Sequence, residues 1–382
     1  MDSKLPSRSR TLHFGEGIAR VATLIALGVS GLVGCAGATN HQASSGPPTE
    51  YATPVELSLP PSSAGTLGPI VDNEWTDQLV ANASSNTAWY WSSPTATPTE
   101  LPGDASGEWV YAEGFGMVNG ALNVCGSTVI SSGGTYNAGA ALWADPTKPP
   151  SQYLARNTAL RGPIYETEAT GGNSTGQFSG YDDAIGGYRP VYWSAAGIET
   201  PLAPTGSDAI SDTGGTGNGP VIATLGSAAS GNTPAVDLSP TAGAAHHLPG
   251  GSARVSTAMN LSGIVVGYDK GASGQLEAVF WTPYDHYSVE HVLPSPPNTK
   301  KITALGIASN GWMVGSVEYN DSTTGVPLWK TTVGVDDVAT KIPANSGWKL
   351  ASSSCILPDG SIIAQGHRGP SGTVNVYIHM NG

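Results

Sequence analysis

The sequence predicts an all-β fold, a seven-bladed β-propeller that is closed by an N-terminal strand. Three observations lead to this prediction. A unit of about 48 residues recurs along the chain, tryptophan returns at one position of that unit, and turn formers are abundant, with 51 Gly and 29 Pro in 382 residues. A unit of that size cannot bury its own apolar face, so successive units must pack on one another.

The repeat is clearest in residues 254–343. One copy contains ARVSTAMNLSGIVVGYD, AVFWTP and EHVLP, and the next contains ITALGIASNGWMVGSVE, VPLWKTT and TKIP. Each copy reads as a strand, a Gly-centred turn, a second strand, a loop, a third strand that ends in Trp, and a fourth that closes on Leu-Pro or Ile-Pro. Four strands per unit of this length are typical of propeller blades.

The tryptophans that mark the third strand are Trp91, Trp143, Trp193, Trp281 and Trp329. They are separated by 52, 50, 88 and 48 residues, and the interval of 88 corresponds to two units. The unit without a Trp contains residues 233–238 and closes on residues 247–249. A further 48 residues lead to Tyr377, which we take as the corresponding position of the last unit. The count is therefore seven units.

The first turn of each unit carries Gly, often with Asn or Ser nearby, as in the segment from Asn260 to Gly263. Glycine adopts a positive φ at little steric cost. An Asn side chain can hydrogen-bond the backbone of its own turn. We therefore interpret this Asn as a structural residue rather than a ligand-binding one.

The last unit lacks a fourth strand, since the chain stops after residues 373–379. A segment with the missing pattern, VELSLP, lies at the other end of the domain, in residues 55–60. If this segment pairs with the last unit, the ring closes and leaves no unpaired strand edge.

Residues 1–34 predict a lipoprotein signal peptide. Residues 21–34 are an apolar run of 14, which is too short to span a bilayer and suits the core of an export signal. The run ends in Leu32-Val33-Gly34-Cys35, which resembles the bacterial lipoprotein signal and implies lipid on Cys35. An ordinary export signal with cleavage within residues 36–38 is the alternative.

Residues 35–50 then form the lipidated Cys35 and a flexible linker, which would hold the domain about 20 Å from the lipid. The propeller occupies residues 51–382. We expect a location in the cell envelope. Ala36 rather than Asp follows the cysteine, which favours the outer membrane if the source is a diderm bacterium.

The formal net charge is −13, and it becomes −15 without residues 1–34, which hold four basic and two acidic residues. Binding of nucleic acid requires a basic face that neutralises phosphates. The sequence offers none, so we exclude DNA and RNA as partners.

Two segments, GIVVG in residues 263–267 and AVFW in residues 278–281, resemble the bacterial "probable extracellular repeat, HAF family". Repeats of that family pair Ile-Asn-x-x-Gly-x-Val-Val-Gly with His-Ala-Phe-x-Trp. The resemblance covers residues 254–343 best. The family's His is absent here, where Glu277 and Gly325 lie near its position. The resemblance implies an exported β-repeat protein and supplies no catalytic residues.

Candidate reactive residues are scattered. Cys125 and Cys355 fall in separate blades, so two buried free thiols are expected rather than a disulfide. The histidines lack zinc-ligand spacing, and His247 and His291 precede blade-closing residues, which favours a place at a strand edge. The acidic pairs Glu166 with Glu168, Asp182-Asp183 and Asp336-Asp337 are interpreted as solvated or turn-stabilising.

Two of the tryptophans outside the repeat position, Trp75 and Trp109, are the candidate ligand-binding residues, because aromatic faces stack on sugars or on apolar partners. We predict no catalytic residue, no metal and no cofactor.

The expected function is a lipid-anchored, non-catalytic and monomeric module that binds a protein or a glycan. A polysaccharide hydrolase or lyase built on the channel of the propeller is the alternative, and a structural spacer is the third possibility, since propellers serve all three roles.

Overall fold

The structure is a computed structural model of the 382-residue chain. The described residues that form its strands and turns belong to one compact unit, Gly46–Gly382. They are 50–60, 67–73, 75–84, 86–103, 109–132, 135–155, 166–184, 187–201, 208–210, 223–227, 231–236, 246–251, 254–370 and 372–381. The predicted signal peptide, Cys35 and the predicted linker up to residue 49 lie outside the described residues.

In the described residues, the first half of the domain contains thirteen strands. A short strand, β1 (Val55–Glu56), comes first. The next four are β2 (Leu67–Val71), β3 (Leu79–Ala83), β4 (Thr87–Trp91) and β5 (Thr99–Glu100). They are followed by β6 (Val110–Val118), β7 (Ala121–Ser132), β8 (Thr135–Trp143) and β9 (Gln152–Tyr153). The last four are β10 (Glu166–Gly172), β11 (Phe178–Ala184), β12 (Gly187–Trp193) and β13 (Glu199–Pro201).

The second half continues the same pattern. It begins with β14 (Asp208–Ile210), β15 (Ala223–Ser227), β16 (Gly231–Val236) and β17 (His246–His247). The next four are β18 (Val255–Met259), β19 (Val265–Lys270), β20 (Leu276–Trp281) and β21 (His291–Val292). They are followed by β22 (Thr299–Ile307), β23 (Met313–Tyr319), β24 (Thr324–Gly325), β25 (Pro327–Thr331) and β26 (Gly334–Asp337). The chain ends with β27 (Trp348–Ile356), β28 (Ile362–Arg368) and β29 (Val374–Ile378).

The strands form antiparallel meanders in which each strand pairs with the next along the chain, except that β25 pairs with β23 and the short β24 pairs with β23 beside it. The meanders β6–β9 and β10–β13 join into one eight-stranded sheet through a single parallel pair, Glu166 with Ala138. In the part of the chain that the structure describes, helix is confined to 3₁₀ turns, which are Pro283–Asp285, Val338–Thr340 and Ala344–Ser346. The fold is therefore all-β, as the sequence predicts.

Strand β1 pairs with the C-terminal sheet, which has the order β1-β29-β28-β27. Val55 lies opposite Tyr377, and the backbone N–H of Leu57 donates to the carbonyl of Asn375 at 3.0 Å. The predicted pairing of an N-terminal strand with the C-terminal sheet is thus observed.

The anchor position of this last sheet differs from the prediction. Four of the repeat tryptophans lie opposite the first residue of the second strand of their unit, as Trp329 lies opposite Met313. In the last sheet Ile378 takes that place opposite Ile362, so the choice of Tyr377 was wrong by one residue. The buried aromatic ring of this region is Tyr51, which packs in the same apolar cluster as Ile378.

The repeat tryptophans are fully buried. Each one forms a hydrogen bond to the segment that follows the last strand of the preceding unit. A buried indole N–H needs an acceptor. Each donates to a backbone carbonyl at 2.8 to 3.0 Å, and the pairs are Trp91 with Ser58, Trp143 with Pro102, Trp193 with Ala155, Trp281 with Pro249 and Trp329 with Pro294. The accepting residue directly follows a buried leucine, which explains why Trp and Leu-Pro recur together.

Asn260 has the structural role that the sequence predicts. Its side-chain oxygen accepts the backbone N–H groups of Ser262 at 3.1 Å and Ile264 at 3.0 Å, and its amide donates to the carbonyl of Ala308 at 3.1 Å in the next sheet. The residue therefore closes its own turn and ties that turn to its neighbour.

Candidate functional site

Antiparallel meanders place the first-to-second and third-to-fourth strand connections at the same end of a sheet. Two contacts show that neighbouring sheets align these ends. The amide of Asn260 reaches Ala308, and the ring of Trp312 lies against Gly360, where an added Cβ would meet it at 3.1 Å. We call the end that carries the turns at Gly263, Gly311 and Gly360 the front face, and the opposite end the back face.

The chain enters the described domain on the front face. The carboxylate of Glu50 pairs with the ammonium group of Lys330, which also lies 4.6 Å from the ring centroid of Trp312. The backbone N–H of Asn381 donates to the carbonyl of Glu50 at 3.0 Å. Tyr51, the next residue, is buried, and its hydroxyl donates to the carbonyl of Gly360 at 3.1 Å. The beginning of the domain is thus fixed at this end of the sheets.

The same face exposes large apolar side chains. Tyr284 is 84% exposed, Val333 is 87% exposed and Ile198 is 64% exposed. All three lie in connections between the third and the fourth strand of a unit, and these connections are on the front face. Single exposed apolar residues are common on proteins, but their recurrence at one structural position marks this face as the candidate interaction surface.

The loop that presents Tyr284 is well supported. The hydroxyl of Thr282 accepts the backbone N–H of Tyr284 at 2.9 Å, and the hydroxyl of Tyr287 donates to the carbonyl of Gly263 at 2.9 Å. His286 and Tyr287 both have a φ of 56°. Two successive non-glycine residues in this conformation cost roughly 1 to 3 kcal/mol each, so the surrounding contacts must hold them. The backbone that carries the exposed tyrosine is therefore ordered by its own contacts.

The sequence did not identify Tyr284, although the segment TPYDHY contains a signal. Pro283 at the start of a 3₁₀ turn and the closely spaced tyrosines indicate an ordered loop rather than a simple hairpin. His291, predicted at a strand edge, lies in the two-residue strand β21, as expected. Its Nε2 lies 2.6 Å from a carboxylate oxygen of Asp285, and its ring stacks on Phe280 at 4.7 Å between centroids.

A second feature is a cluster of buried carboxyl groups between β6 and β10. Glu168 is 0% exposed, its carboxyl accepts the hydroxyl of Tyr181, and it shares a hydrogen bond with Glu113. The amide of Asn82 donates to Glu113 at 2.6 Å. Glu166 is buried on the same strand as Glu168.

Burial raises the pKa of Glu168 from its ordinary 4.5 to about 7, although its hydrogen bonds act in the other direction. Burial also raises the pKa of Tyr181 well above its usual value, and the negative charge of Glu168 adds to this increase. The pKa of Tyr111 rises to about 12 for the same two reasons, burial first. One carboxyl of the Glu113 and Glu168 pair therefore holds a proton up to about neutral pH.

The cluster corrects the prediction for two of the acidic pairs. Glu166, Glu168 and Asp182 are buried rather than solvated, because they lie on inner strands that face a neighbouring sheet. The third pair agrees with the prediction in part, since Asp337 accepts the backbone N–H of Ala339 at 2.9 Å and begins a 3₁₀ turn. A fully buried Glu168 cannot reach a polymeric substrate, so this cluster does not support a hydrolase.

A related pair, Asp269 and Glu290, lies in the sheet of β18–β21. Burial raises the pKa of Glu290 to about 7, the adjacent carboxylate of Asp269 raises it further, and Arg254 lowers it. The backbone N–H of Gly251 donates to Asp269, and a guanidinium nitrogen of Arg254 donates to the carbonyl of Gly250 at 2.8 Å. The pair thus closes the loop before β18.

The two candidate tryptophans lie apart. Trp75 is half-buried in the turn between β2 and β3 and packs against the apolar cluster around Val80. Trp109 precedes β6, beside the ring of Tyr111 at 5.2 Å. Tyr111 in turn reaches Asn86, in the turn between β3 and β4, which places Trp109 at the other end of the sheets. The structure therefore does not bring them together, and a ligand role for either stays a prediction.

Cys125 and Cys355 are both free and buried, as predicted, whereas Cys35 lies outside the described residues. No cluster of three or more His, Cys, Asp or Glu in the described ranges has a geometry that could hold a metal ion. Within those ranges no helix reaches the length and hydropathy required to cross a bilayer.

Comparison with known proteins shows the fold. No family model matches the sequence, and no curated protein matches it. A structure of YCF48 bound to D1 peptide aligns with a TM-score of 0.50 and 10% identity, over 88% of this chain and 98% of that chain. A structure of puromycin hydrolase complexed with PGG aligns with a TM-score of 0.50 and 12% identity, over 85% of this chain. This chain spans only 58% of the length of that hydrolase. At such identities the alignments show a shared fold and no shared ligand. The chain therefore has an all-β fold of the propeller type.

Proposed function

We propose that this protein is a lipid-anchored interaction module that binds a partner protein through its front face. The domain would be a ring of seven blades. Seven units support this count among the described residues. Six have four strands, and the unit of β22–β26 has the short β24 as a fifth. The eight-stranded sheet contains two of the units, and β1 supplies the last strand of the C-terminal unit. In a ring closed in this way the C-terminal unit has its full set of strands, and only the short edges of the individual blades remain.

The anchor is proposed from residues 21–35, where an apolar run precedes Leu32-Val33-Gly34-Cys35. Lipid on Cys35 would attach the module to the cell envelope, on the outer membrane in a diderm bacterium. Kinship with the HAF-type extracellular repeats is part of the same proposal. Because Glu50 is fixed on the front face, the partner would bind on the side of the domain that faces the membrane.

The observation that carries the proposal is the position of Tyr284, Val333 and Ile198. Each projects from a connection that ends on the front face, and Tyr284 is held by a loop that is already ordered. Exposed, rigid aromatic residues are typical anchors of protein interfaces. YCF48, which shares the fold, was solved with a peptide bound, and this supports a protein or peptide as the ligand class.

The other two functions are less well supported. A spacer would present a uniformly polar surface, which does not agree with the exposed Tyr284 and Val333. A polysaccharide hydrolase needs two carboxyl groups on opposite sides of a bound sugar. Within the cluster described above, Glu166 and Glu168 are closed to such a substrate by burial.

A site-specific crosslink tests the proposal. In the test variant, a photoreactive phenylalanine analogue replaces Tyr284 in the full-length protein in intact cells. In the control variant, the analogue replaces Ala272, which is exposed on the back face of the same sheet. We expect a protein adduct from position 284 and none from position 272. We also expect Val333→Asp, on the neighbouring sheet, to reduce the adduct strongly. Equal adducts from both positions, or none from either, would refute the proposal.

A further inference from the structure

A groove of ≈ 460 Å³ lies on the back face, at the boundary between the sheet of β18–β21 and the sheet of β22–β26. It is formed by the turn before β20, the connection from β21 to β22, and the residue that follows β23. Volumes of this order are typical of small-ligand sites. Polar side chains line most of its wall, and these are Gln275, Glu277, Ser295, Asn298, Lys300 and Asn320.

Four of the polar side chains of the wall form no hydrogen bond within the described part of the protein. In the described part of the chain, the side chains of Gln275, Asn298, Asn320 and Ser295 form no hydrogen bond to another residue. By contrast, the side chain of Asn260 forms hydrogen bonds with backbone groups. Three primary amides and a hydroxyl thus converge on one groove with both donors and acceptors free.

Apolar side chains form a smaller part of the lining. Leu276 and Pro296 are half-buried, Ile302 is buried, and all three line the groove together with the amides. A mostly polar groove with a few apolar side chains matches a molecule that has many hydroxyls and small C–H faces. A sugar ring has this character, because its axial C–H groups pack on apolar side chains while its hydroxyls need hydrogen-bond partners.

The backbone of the rim is fixed. Asn298 has a φ of 63°, and its carbonyl accepts the backbone N–H of Asn320 at 2.9 Å. The hydroxyl of Thr299 donates to the carbonyl of Pro296 at 2.6 Å. These bonds hold Asn298 and Asn320 next to each other before any ligand binds, which lowers the entropic cost of binding.

The charges of the groove nearly cancel. The ammonium group of Lys300 lies 2.5 Å from a carboxylate oxygen of Glu318, which also pairs with Lys301 at 3.1 Å. Glu277 contributes one negative charge that can accept hydroxyl donors. Neither an anion nor a cation is favoured by this arrangement.

We propose that the back-face groove binds a neutral, hydroxyl-rich ligand, namely a short segment of a neutral oligosaccharide. The amides of Asn298 and Asn320 hydrogen-bond its hydroxyls, and Leu276 and Pro296 contact a C–H face. This site is at the opposite end of the sheets from Tyr284, so it does not rest on the proposed partner protein.

Titration calorimetry and saturation-transfer NMR with cellotetraose and maltotetraose test this site in the full-length protein in detergent. We expect binding of at least one of them by the wild type. The variants Asn298→Gly and Asn320→Ala should each weaken it at least tenfold. Glycine keeps the positive φ at position 298, so that substitution removes the amide without straining the turn.

Asn345→Ala removes an exposed amide outside the groove and serves as the matched control, with unchanged binding expected. Circular dichroism of every variant separates a lost contact from a lost fold. Absence of binding to both sugars would overturn the proposal. So would binding that the two groove variants leave unchanged, or binding of a sulfated oligosaccharide in place of the neutral ones.

Discussion

Glu168 should make the domain less stable as pH rises towards neutrality. Its pKa in the folded protein, about 7, lies above its ordinary 4.5. Below pH 4.5 the carboxyl is protonated in both states and contributes nothing to the pH dependence. Between pH 4.5 and 7 the unfolded chain releases the proton while the folded protein keeps it, so the free energy of unfolding falls. At 1.36 kcal/mol per pH unit, the full loss is about 3 kcal/mol and is complete above pH 7.

The substitution Glu168→Gln tests this reasoning. Glutamine has nearly the shape of the protonated acid, since its oxygen can accept the hydroxyl of Tyr181 and its amide can donate to Glu113. Urea unfolding at pH 4, 6 and 8 measures the difference from the wild type. We expect no significant difference at pH 4 and a gain of about 3 kcal/mol for the variant at pH 8.

Glu100→Gln is the matched control, because Glu100 is exposed on β5 and carries the same chemical change. It should leave the pH dependence of the wild type unchanged. The reasoning is refuted if Glu168→Gln follows the wild-type curve at all three pH values, or if it loses stability most at pH 8.

Three other predictions concern the scaffold. Deletion of residues 51–60 removes the buried Tyr51 and strand β1, so the protein should unfold or dimerise, and a stable monomer in size-exclusion chromatography with light scattering would contradict this. Trp281→Phe removes the N–H that reaches Pro249 and leaves a cavity, and thermal or urea unfolding should show a loss of about 2 to 4 kcal/mol, whereas Tyr284→Phe, a conservative change at an exposed residue, should cost little. In a Cys35→Ala background, DTNB should label no thiol of the native protein, because burial raises the pKa of both Cys125 and Cys355, and two thiols should react after unfolding.

Much of the scaffold could be predicted from the sequence because it depends on local and periodic features. The turn that contains Asn260 and Gly263 is specified by residues within four positions of one another. The sequence pattern at the other end of the chain predicted the missing strand of the last sheet. The pairing of Val55 with Tyr377 confirms this prediction. The single-residue error at Tyr377 arose because counting along the chain ignores the length of each loop.

The candidate sites could not be predicted in the same way. The exposure of Tyr284 depends on a loop that departs from the repeat, and the groove at Asn298 and Asn320 depends on how two neighbouring sheets meet. Glu166 and Glu168 read as solvated in the sequence, since an acidic residue is usually exposed. Only the packing of β10 against β6 shows that they are buried.

The sequence by itself determined the all-β class, the repeat, the positions of the tryptophans and the strand that joins the two ends of the chain. The repeat period and the turn residues are local features of the sequence, so they can be recognised before the packing is known. The tertiary structure alone decided which carbonyl accepts each indole N–H, which carboxyl groups are buried beside one another, and which side chains remain exposed on each face. Those outcomes join residues that are distant in the chain, as Tyr51 meets Gly360 across 309 positions, and they exist only once the sheets have packed.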